Sequence, residues 1–371
     1  MKKTFKIAAL ALFAGLVLAS CSDNEDPKQY VVPVQKEMIV LNQGNYYGGV
    51  EGTLDRLELG NTANNFWEGT LTSSVFKAAN GQSLGDSPQN GVMCGSKLYV
   101  SVYASNLVWV LNPSTKKIIA SVSTTEPEWV TTDGKNIYVA NNNGFVTRID
   151  TATYAKDSIK VGPNPACLVV ANKHLYASIS DGYNSANGYA NGKKVAKIDL
   201  QTFKKTKDIP VGLNPGRMDV DNAGNVFVVC MGNYGAIAPE VQRISTSDKV
   251  DKVAAGNHIV CLRNLLYVFD SQTNWSTGEV KTKVKIFNGS TLKEDSNNHF
   301  EEREMAPAPT GLFTDLNEKY VIVTSDPDGK GFNKPGFVYI YSSEGSFLKK
   351  LNVGIHPYSV IFPISYVTMV I

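Results

Sequence analysis

Apolar and polar residues alternate along most of this chain in runs of five to seven residues, a pattern that indicates short β-strands with one buried face. The clearest stretch covers residues 127–165, PEWVTTDGKNIYVANNNGFVTRIDTATYAKDSIKVGPNP. A strand follows Pro127, then a tight Asp-Gly turn, then three more strand segments separated by Asn, Gly and Thr. We therefore expect one antiparallel sheet of four strands from this stretch.

The same unit recurs along the chain. Its opening position is filled in turn by Pro88, Pro127, Pro165, Pro215, His258, Pro309 and Pro357. An aromatic residue marks the second strand of each full unit, at Tyr99, Tyr138, Tyr176, Phe227, Tyr267 and Tyr320. One small sheet cannot bury both of its faces, so the units must pack against each other.

The two ends of the repeat region are complementary. Residues 38–71 supply three later strands (MIVLNQGN, TLDRLEL and NFWEGTL) without an opening one, whereas HPYSVIF at 356–362 supplies an opening strand alone. Joining them makes a seventh sheet and removes the open edges of a linear stack. The prediction is an all-β fold, a seven-bladed β-propeller of four-stranded antiparallel blades over residues 38–371, with six or eight blades as alternatives. The apolar segment after Phe362 is not needed by this closure.

The first 37 residues have a different composition. Lys2, Lys3 and Lys6 precede an apolar run at 7–19 that is too short to span a membrane and is typical of a signal peptide. The run ends in Leu-Ala-Ser-Cys, which resembles the lipobox of bacterial lipoproteins. This resemblance implies a signal peptide at 1–21 with an acylated Cys21, followed by a flexible acidic tether at 22–37.

The acidic run SDNED directly after Cys21 resembles the surface-export tag of Bacteroidetes lipoproteins; a solvated linker is the alternative. The tag implies a lipid-anchored protein on the outer membrane, facing the cell exterior, that touches the membrane only through its anchor. Without the three signal lysines, 33 basic side chains (36 − 3) face 34 acidic ones. This balance argues against binding to nucleic acid.

Propeller geometry separates the connections into two ends. We name as the upper end the loops between second and third strands together with the crossings between blades, and as the lower end the remaining turns. Upper-end sequences combine aromatic residues with Asn, Gly and Ser, which suits ligand contact. The predicted ligand-binding residues in the loops are Tyr46, Tyr47, Tyr103, Asn106, Asn143, Tyr183, Tyr189, Tyr234, Trp275 and Phe332. Those near the channel mouth are Trp129, Asn164, Asn214, Arg217, His258, His356 and Tyr358.

Catalytic motifs are missing from the sequence. No HExxH, GxSxG or Walker loop occurs, and neither the four His nor Cys94, Cys167, Cys230 and Cys261 have metal-ligand spacing. We predict no catalytic residue, no metal and no cofactor, and favour free buried thiols over disulfides. For His258 and His356, hydrogen bonding is preferred to a catalytic or metal role.

The sequence motif YVAN…G.V..ID at residues 138–150 resembles the YVTN-type repeat of YncE-like seven-bladed propellers, and the similarity extends over residues 38–362. With the expected surface location, the chain also resembles the corrinoid-capturing propellers that serve vitamin B12 uptake. That resemblance implies capture of a large, polar, nearly neutral nutrient and its transfer to a TonB-dependent transporter. The alternatives are a glycan-binding module, an adhesive surface protein, and an enzyme such as a lyase or a quinone-type dehydrogenase.

Overall fold

The computed structural model describes residues 29–60, 66–296, 299–330 and 332–370. The predicted signal peptide and Cys21 lie outside these residues. The chain divides into a large compact unit, residues 35–365, and a small unit made from the two chain ends. Among the described residues, no helix is both long enough and apolar enough to cross a membrane.

Seven antiparallel sheets make up the large unit. Blade 1 contains Pro357–Ile361, Glu37–Asn42, Thr53–Glu58 and Leu71–Thr72. Blade 2 contains Pro88–Cys94, Lys97–Val102, Leu107–Leu111 and Ile118–Ser123. Blade 3 contains Pro127–Thr132, Asn136–Asn141, Phe145–Asp150 and Lys156–Lys160. Blade 4 contains Pro165–Ala171, His174–Ile179, Lys194–Asp199 and Lys204–Pro210.

The remaining blades follow in chain order. Blade 5 contains Pro215–Val220, Val226–Cys230, Glu240–Ile244 and Val250–Ala255. Blade 6 contains His258–Leu262, Leu265–Thr273 and Val280–Asn288. Blade 7 contains Ala308–Thr314, Tyr320–Asp326, Pro335–Ser342 and Phe347–Ile355. The helical segments are short: Val75–Asn80 is α-helical, and Tyr46–Gly48, Ser185–Asn187 and Glu302–Glu304 are 3₁₀ turns.

The ring closes as predicted. Val40 pairs with Val360 and Ile39 with Ile361, so the last strand of the propeller completes the first blade. The opening strand of each blade contacts the opening strands of its two neighbours all the way around, which places these seven strands about a central channel. The seven-bladed β-propeller is thus confirmed, and six of its blades open at the predicted residue; blade 7 opens at Ala308, one residue early.

Aromatic side chains fill the interfaces between blades. Tyr99, Tyr138, Phe227 and Tyr267 are completely buried at equivalent second-strand positions. At about 25 cal/mol per Å² of apolar surface, each such ring stabilises the fold by about 2–3 kcal/mol. The four cysteines Cys94, Cys167, Cys230 and Cys261 are buried and form no disulfide, as predicted.

Most opening strands carry a β-bulge directly after their proline. Proline cannot donate to the ladder and is tolerated at such irregular positions. Glu128 in blade 3 and Tyr358 in blade 1 are extra residues, and in blade 5 Gly216 and Arg217 together face the single residue Val229. Blade 6 has His258 instead of proline and pairs without a bulge. The bulges therefore change the direction of the side chains nearest to the upper mouth of the channel.

Blade 6 departs from the four-stranded prediction. Within the described residues its third strand is followed only by a single bridge, Phe287 to Glu294. The sequence after this strand, TLKEDS at 291–296, is rich in residues that disfavour strands. The other six blades have all four strands.

The small unit contains a separate two-stranded sheet of Gln29–Gln35 and Ile364–Val370. The sequence prediction placed residues 22–37 in a flexible tether, but the described part of this segment is a strand with three valines, which favour β geometry. The apolar ending that propeller closure left unexplained is its pairing partner.

Candidate functional site

Exposed aromatic rings are concentrated at the upper end of the propeller. Within the described residues, every exposed Phe, Tyr or Trp ring lies in a loop between a second and a third strand: Tyr46, Tyr47, Tyr183, Tyr234, Trp275 and Phe332. Five blades contribute to this set. Tyr47 is 96% exposed and Trp275 is 81% exposed, so neither ring stabilises the interior. A surface that exposes so many rings on one side is typical of a binding site.

Asparagine side chains shape these loops from within. Asn45 Oδ1 accepts a hydrogen bond from Gly48 N at 2.9 Å and caps the turn that carries Tyr46. Asn274 Oδ1 accepts from Ser276 N at 3.0 Å, directly beside Trp275. Because these amides bond to their own backbone, they hold the rings in place rather than offering free polar groups.

Of the asparagines predicted to bind ligand, two support their own loops and a third is exposed. Asn106 has φ +56° and accepts from Glu126 N at 2.9 Å. Asn164 has φ +46° and donates to the Asn142 carbonyl at 3.0 Å. Asn tolerates this left-handed conformation better than most residues. Asn143 is exposed in the loop of blade 3. The side chains of Asn106 and Asn164 are therefore engaged in loop structure.

A hydrogen-bonded group joins the upper rims of blades 2, 3 and 4. The Tyr103 and Tyr183 hydroxyls are bonded to each other, and Asn142 Nδ2 donates to Tyr103 Oη at 3.2 Å. Burial raises the pKa of Tyr103, so its hydroxyl is neutral over the physiological range. Sequence reasoning selected both tyrosines but missed Asn142, which connects them.

Tyr189 and Asn214 support the exposed Tyr234. Tyr189 is 8% exposed, and its ring meets Tyr234 edge-on with centroids 6.2 Å apart. Asn214 is buried, and its side chain partly offsets the rise in the pKa of Tyr234 that burial causes, which places it close to the Tyr234 hydroxyl. Both were predicted to bind ligand, whereas the structure places them behind a ring that can do so.

Aromatic and histidine rings continue from the rim toward the channel in blades 7 and 1. Phe332 lies 4.0 Å from the His356 ring by centroid, and His356 lies 5.7 Å from Tyr358. His356 is buried, and its Nδ1 lies 2.8 Å from Asp326 Oδ2. This contact fixes the orientation of the imidazole.

Arg217 lies in the central channel. Its guanidinium carbon is 4.1 Å from the Trp129 ring centroid, 4.7 Å from that of Tyr358 and 5.9 Å from that of Phe313. These three rings belong to the opening strands of blades 3, 1 and 7, while Arg217 belongs to blade 5. The four side chains therefore meet across the axis, and we name them the channel floor.

Two titratable side chains adjoin the channel floor. Burial raises the pKa of Glu128 to about 7, although the positive charge of Arg217 partly offsets this and Glu126 adds to it. Burial lowers the pKa of His258 to about 4, and Arg217 contributes in the same direction. Glu128 was not predicted. The available signal was its position: the residue after the opening proline is uncharged in the other Pro-opened blades.

No part of the site has the composition of a metal centre. Among the described residues, no cluster of three or more His, Cys, Asp or Glu side chains could hold a metal ion. A cleft of about 540 Å³ lies elsewhere, between the third strand of blade 6 and the described residues of 294–296 and 299–305. It is lined in part by Val284, Phe300 and Met305 and contains none of the predicted site residues.

The fold and this ring-bearing end define the class of protein, a seven-bladed β-propeller with a candidate binding face. No protein-family model matches the chain, and no curated protein matches it significantly. Among solved structures, hydrazine synthase from Kuenenia stuttgartiensis is similar with a TM-score of 0.59 and 15% identity, covering 76% of this chain and 95% of that chain.

A quinonprotein alcohol dehydrogenase-like protein from Bacteroides thetaiotaomicron is similar with a TM-score of 0.57 and 14% identity, covering 88% of this chain and 78% of that chain. A chain of a mitotic checkpoint complex gives a TM-score of 0.51 and 14% identity, covering 71% and 78%. Identities this low show a shared fold and carry no information on chemistry.

Proposed function

We propose that this chain is a surface-exposed, lipid-anchored protein of the outer membrane that captures a large, polar, nearly neutral nutrient without chemical turnover. The nutrient in this proposal is a corrinoid such as vitamin B12, passed on to a TonB-dependent transporter. The observation that supports it best is that, in the part of the chain the structure describes, the exposed aromatic rings lie at one end of the propeller.

The energetics of these rings favour tight binding. An aromatic side chain covered by a ligand buries about 150–250 Å², which at about 25 cal/mol per Å² corresponds to several kcal/mol before ordering costs. Three or four rings acting together therefore suffice for submicromolar affinity. A bulky ligand is favoured because Tyr47, Tyr183 and Trp275 come from different blades and only a wide molecule can touch several of them.

The direct test is calorimetry of cyanocobalamin with the chain lacking residues 1–21. We expect saturable binding that weakens by at least about 100-fold, or about 3 kcal/mol, when Tyr47, Tyr183 and Trp275 are all changed to Ala. Leu316→Ala removes an exposed apolar side chain from the lower end and is the matched control, with unchanged affinity. Absence of heat, together with no retention on a corrinoid resin, would rule out corrinoid capture.

A glycan is the second candidate ligand, because exposed rings also stack on sugar faces. Binding on a glycan array that depends on the same three rings, without cyanocobalamin binding, would establish it. The anchor is tested separately: Cys21→Ala should abolish labelling by radioactive palmitate and release the chain from membranes.

A further inference from the structure

Arg217 leaves most of its hydrogen-bonding capacity unused. A guanidinium has five N–H donors. Among the described residues, Arg217 makes one hydrogen bond, from Nη2 to the Tyr358 carbonyl at a long 3.5 Å, and no carboxylate lies within 4 Å. The residue is only partly buried, which leaves part of it accessible from the channel.

Two aromatic rings lie against this guanidinium. With centroids 4.1 Å and 4.7 Å from its carbon, Trp129 and Tyr358 provide cation–π contact. Ring contacts of this kind do not use the N–H donors at the guanidinium edge. That edge has the spacing of a carboxylate or phosphate and binds either through two parallel hydrogen bonds.

Other arginines of the propeller differ in this respect. Arg148 also stacks on a ring, 4.5 Å from Phe203, but its Nη2 lies 2.6 Å from Asp157. Arg243 pairs with Asp251 at 2.6 Å and also bonds to two carbonyls. Stacking with an unpaired edge, at the base of the ring-bearing end, distinguishes Arg217 from both.

We propose that Arg217 binds a phosphate or carboxylate group of the captured molecule at the channel floor, while the rim rings hold its uncharged body. The inference rests on the proposed function in taking the upper end as the ligand face. It adds that the ligand carries one anionic group on an otherwise neutral frame. Glu128 lies beside the same space, so its ionised form opposes the anion.

The test uses the full chain in mild detergent, with pyrophosphate and malonate as probes at constant ionic strength. Tryptophan fluorescence reports on the floor through Trp129, and Trp129→Phe identifies that contribution. We expect a saturable change that weakens at least tenfold in Arg217→Gln and is unaffected in Arg148→Gln. The stronger probe shows whether the floor prefers phosphate or carboxylate. No change in the wild type, or an equal change in Arg217→Gln (an adventitious ion only), overturns the proposal.

A second variant covers the case in which Arg217→Gln fails to fold, as judged by circular dichroism. Arg217→Lys keeps the positive charge but loses the fork and the flat face, so we expect a several-fold loss; equal affinity contradicts the proposal. Cyanocobalamin separates the two proposals. If cyanocobalamin binds wild type and Arg217→Gln equally, the proposed anion contact is wrong and corrinoid capture is supported. If it does not bind, corrinoid capture falls and the pyrophosphate and malonate titrations still decide the role of Arg217.

Discussion

The lower and upper ends of this propeller use similar residues for different purposes. At the lower end, Asp150 Oδ1 accepts hydrogen bonds from Thr153 N at 2.7 Å and Ala152 N at 3.0 Å, and Asn112 Oδ1 does the same with Thr115 N at 2.9 Å. These turns satisfy themselves and expose no large ring among the described residues. At the upper end, asparagines again close the turns, but the turns carry rings that nothing covers. The repeat therefore fixes one end and leaves the other free for recognition.

The largest expected effect is on the free energy of unfolding, and it separates a ring buried inside the propeller from a ring exposed at its upper end. Phe227 is completely buried between blades 5 and 6, whereas Trp275 is larger but 81% exposed. Phe227→Ala should lower the free energy of unfolding by about 3–5 kcal/mol, through lost burial and a residual cavity. Trp275→Ala should change it by less than about 0.5 kcal/mol. Denaturant unfolding measures both, and a large loss in Trp275→Ala would mean that this ring is part of the core.

The repeat allowed the propeller fold to be predicted from the sequence, but it predicted little of the geometry of the upper end. Proline at 127 and Tyr138 mark local strand positions, and a local pattern determines them. The meeting of Arg217 with Trp129 and Tyr358 depends on ring closure and on bulges that aim each side chain. Ring closure has no local signal, and the opening proline marks where a bulge lies without showing which side chains the bulge brings together. Sequence composition also suggested free polar groups at Asn106 and Asn164, where the structure uses the side chains as loop supports.

The next effect concerns pH and the two groups beside the channel floor. Glu128 has a folded pKa of about 7 against 4.5 when unfolded, so the folded state holds the extra proton and stability falls as pH rises through this window. His258 has a folded pKa of about 4 against 6.5, so stability rises as pH rises from 4 to 6.5. The two slopes oppose each other, each amounting to at most about 3 kcal/mol.

Single variants should separate the two opposing dependences of stability on pH. Relative to wild type, Glu128→Gln should gain stability progressively between pH 4.5 and 7, and His258→Gln should gain it as pH falls from 6.5 to 4. Thermal unfolding at pH steps of 0.5 measures both differences. Glu279→Gln, an exposed carboxyl at the upper end, is the control and should track wild type throughout. If stability depends on pH in the same way in all four proteins, neither Glu128 nor His258 is desolvated.

The smallest effect tests the self-satisfied turns of the lower end. Asp150→Ala removes the acceptor for two backbone N–H groups and the Thr153 hydroxyl, and should lower the free energy of unfolding by less than either of the changes above. Hydrogen bonds from the backbone also hold the pKa of Asp150 below its usual value of 3.8, so this contribution should be lost progressively as pH falls from 3.8 through the lower folded pKa. Asp150→Asn keeps the acceptor oxygen and should recover most of the loss at neutral pH. Ligand affinity should stay unchanged in both variants, since this turn lies at the end opposite the rings; weaker binding would mean that the two ends are coupled through the blade.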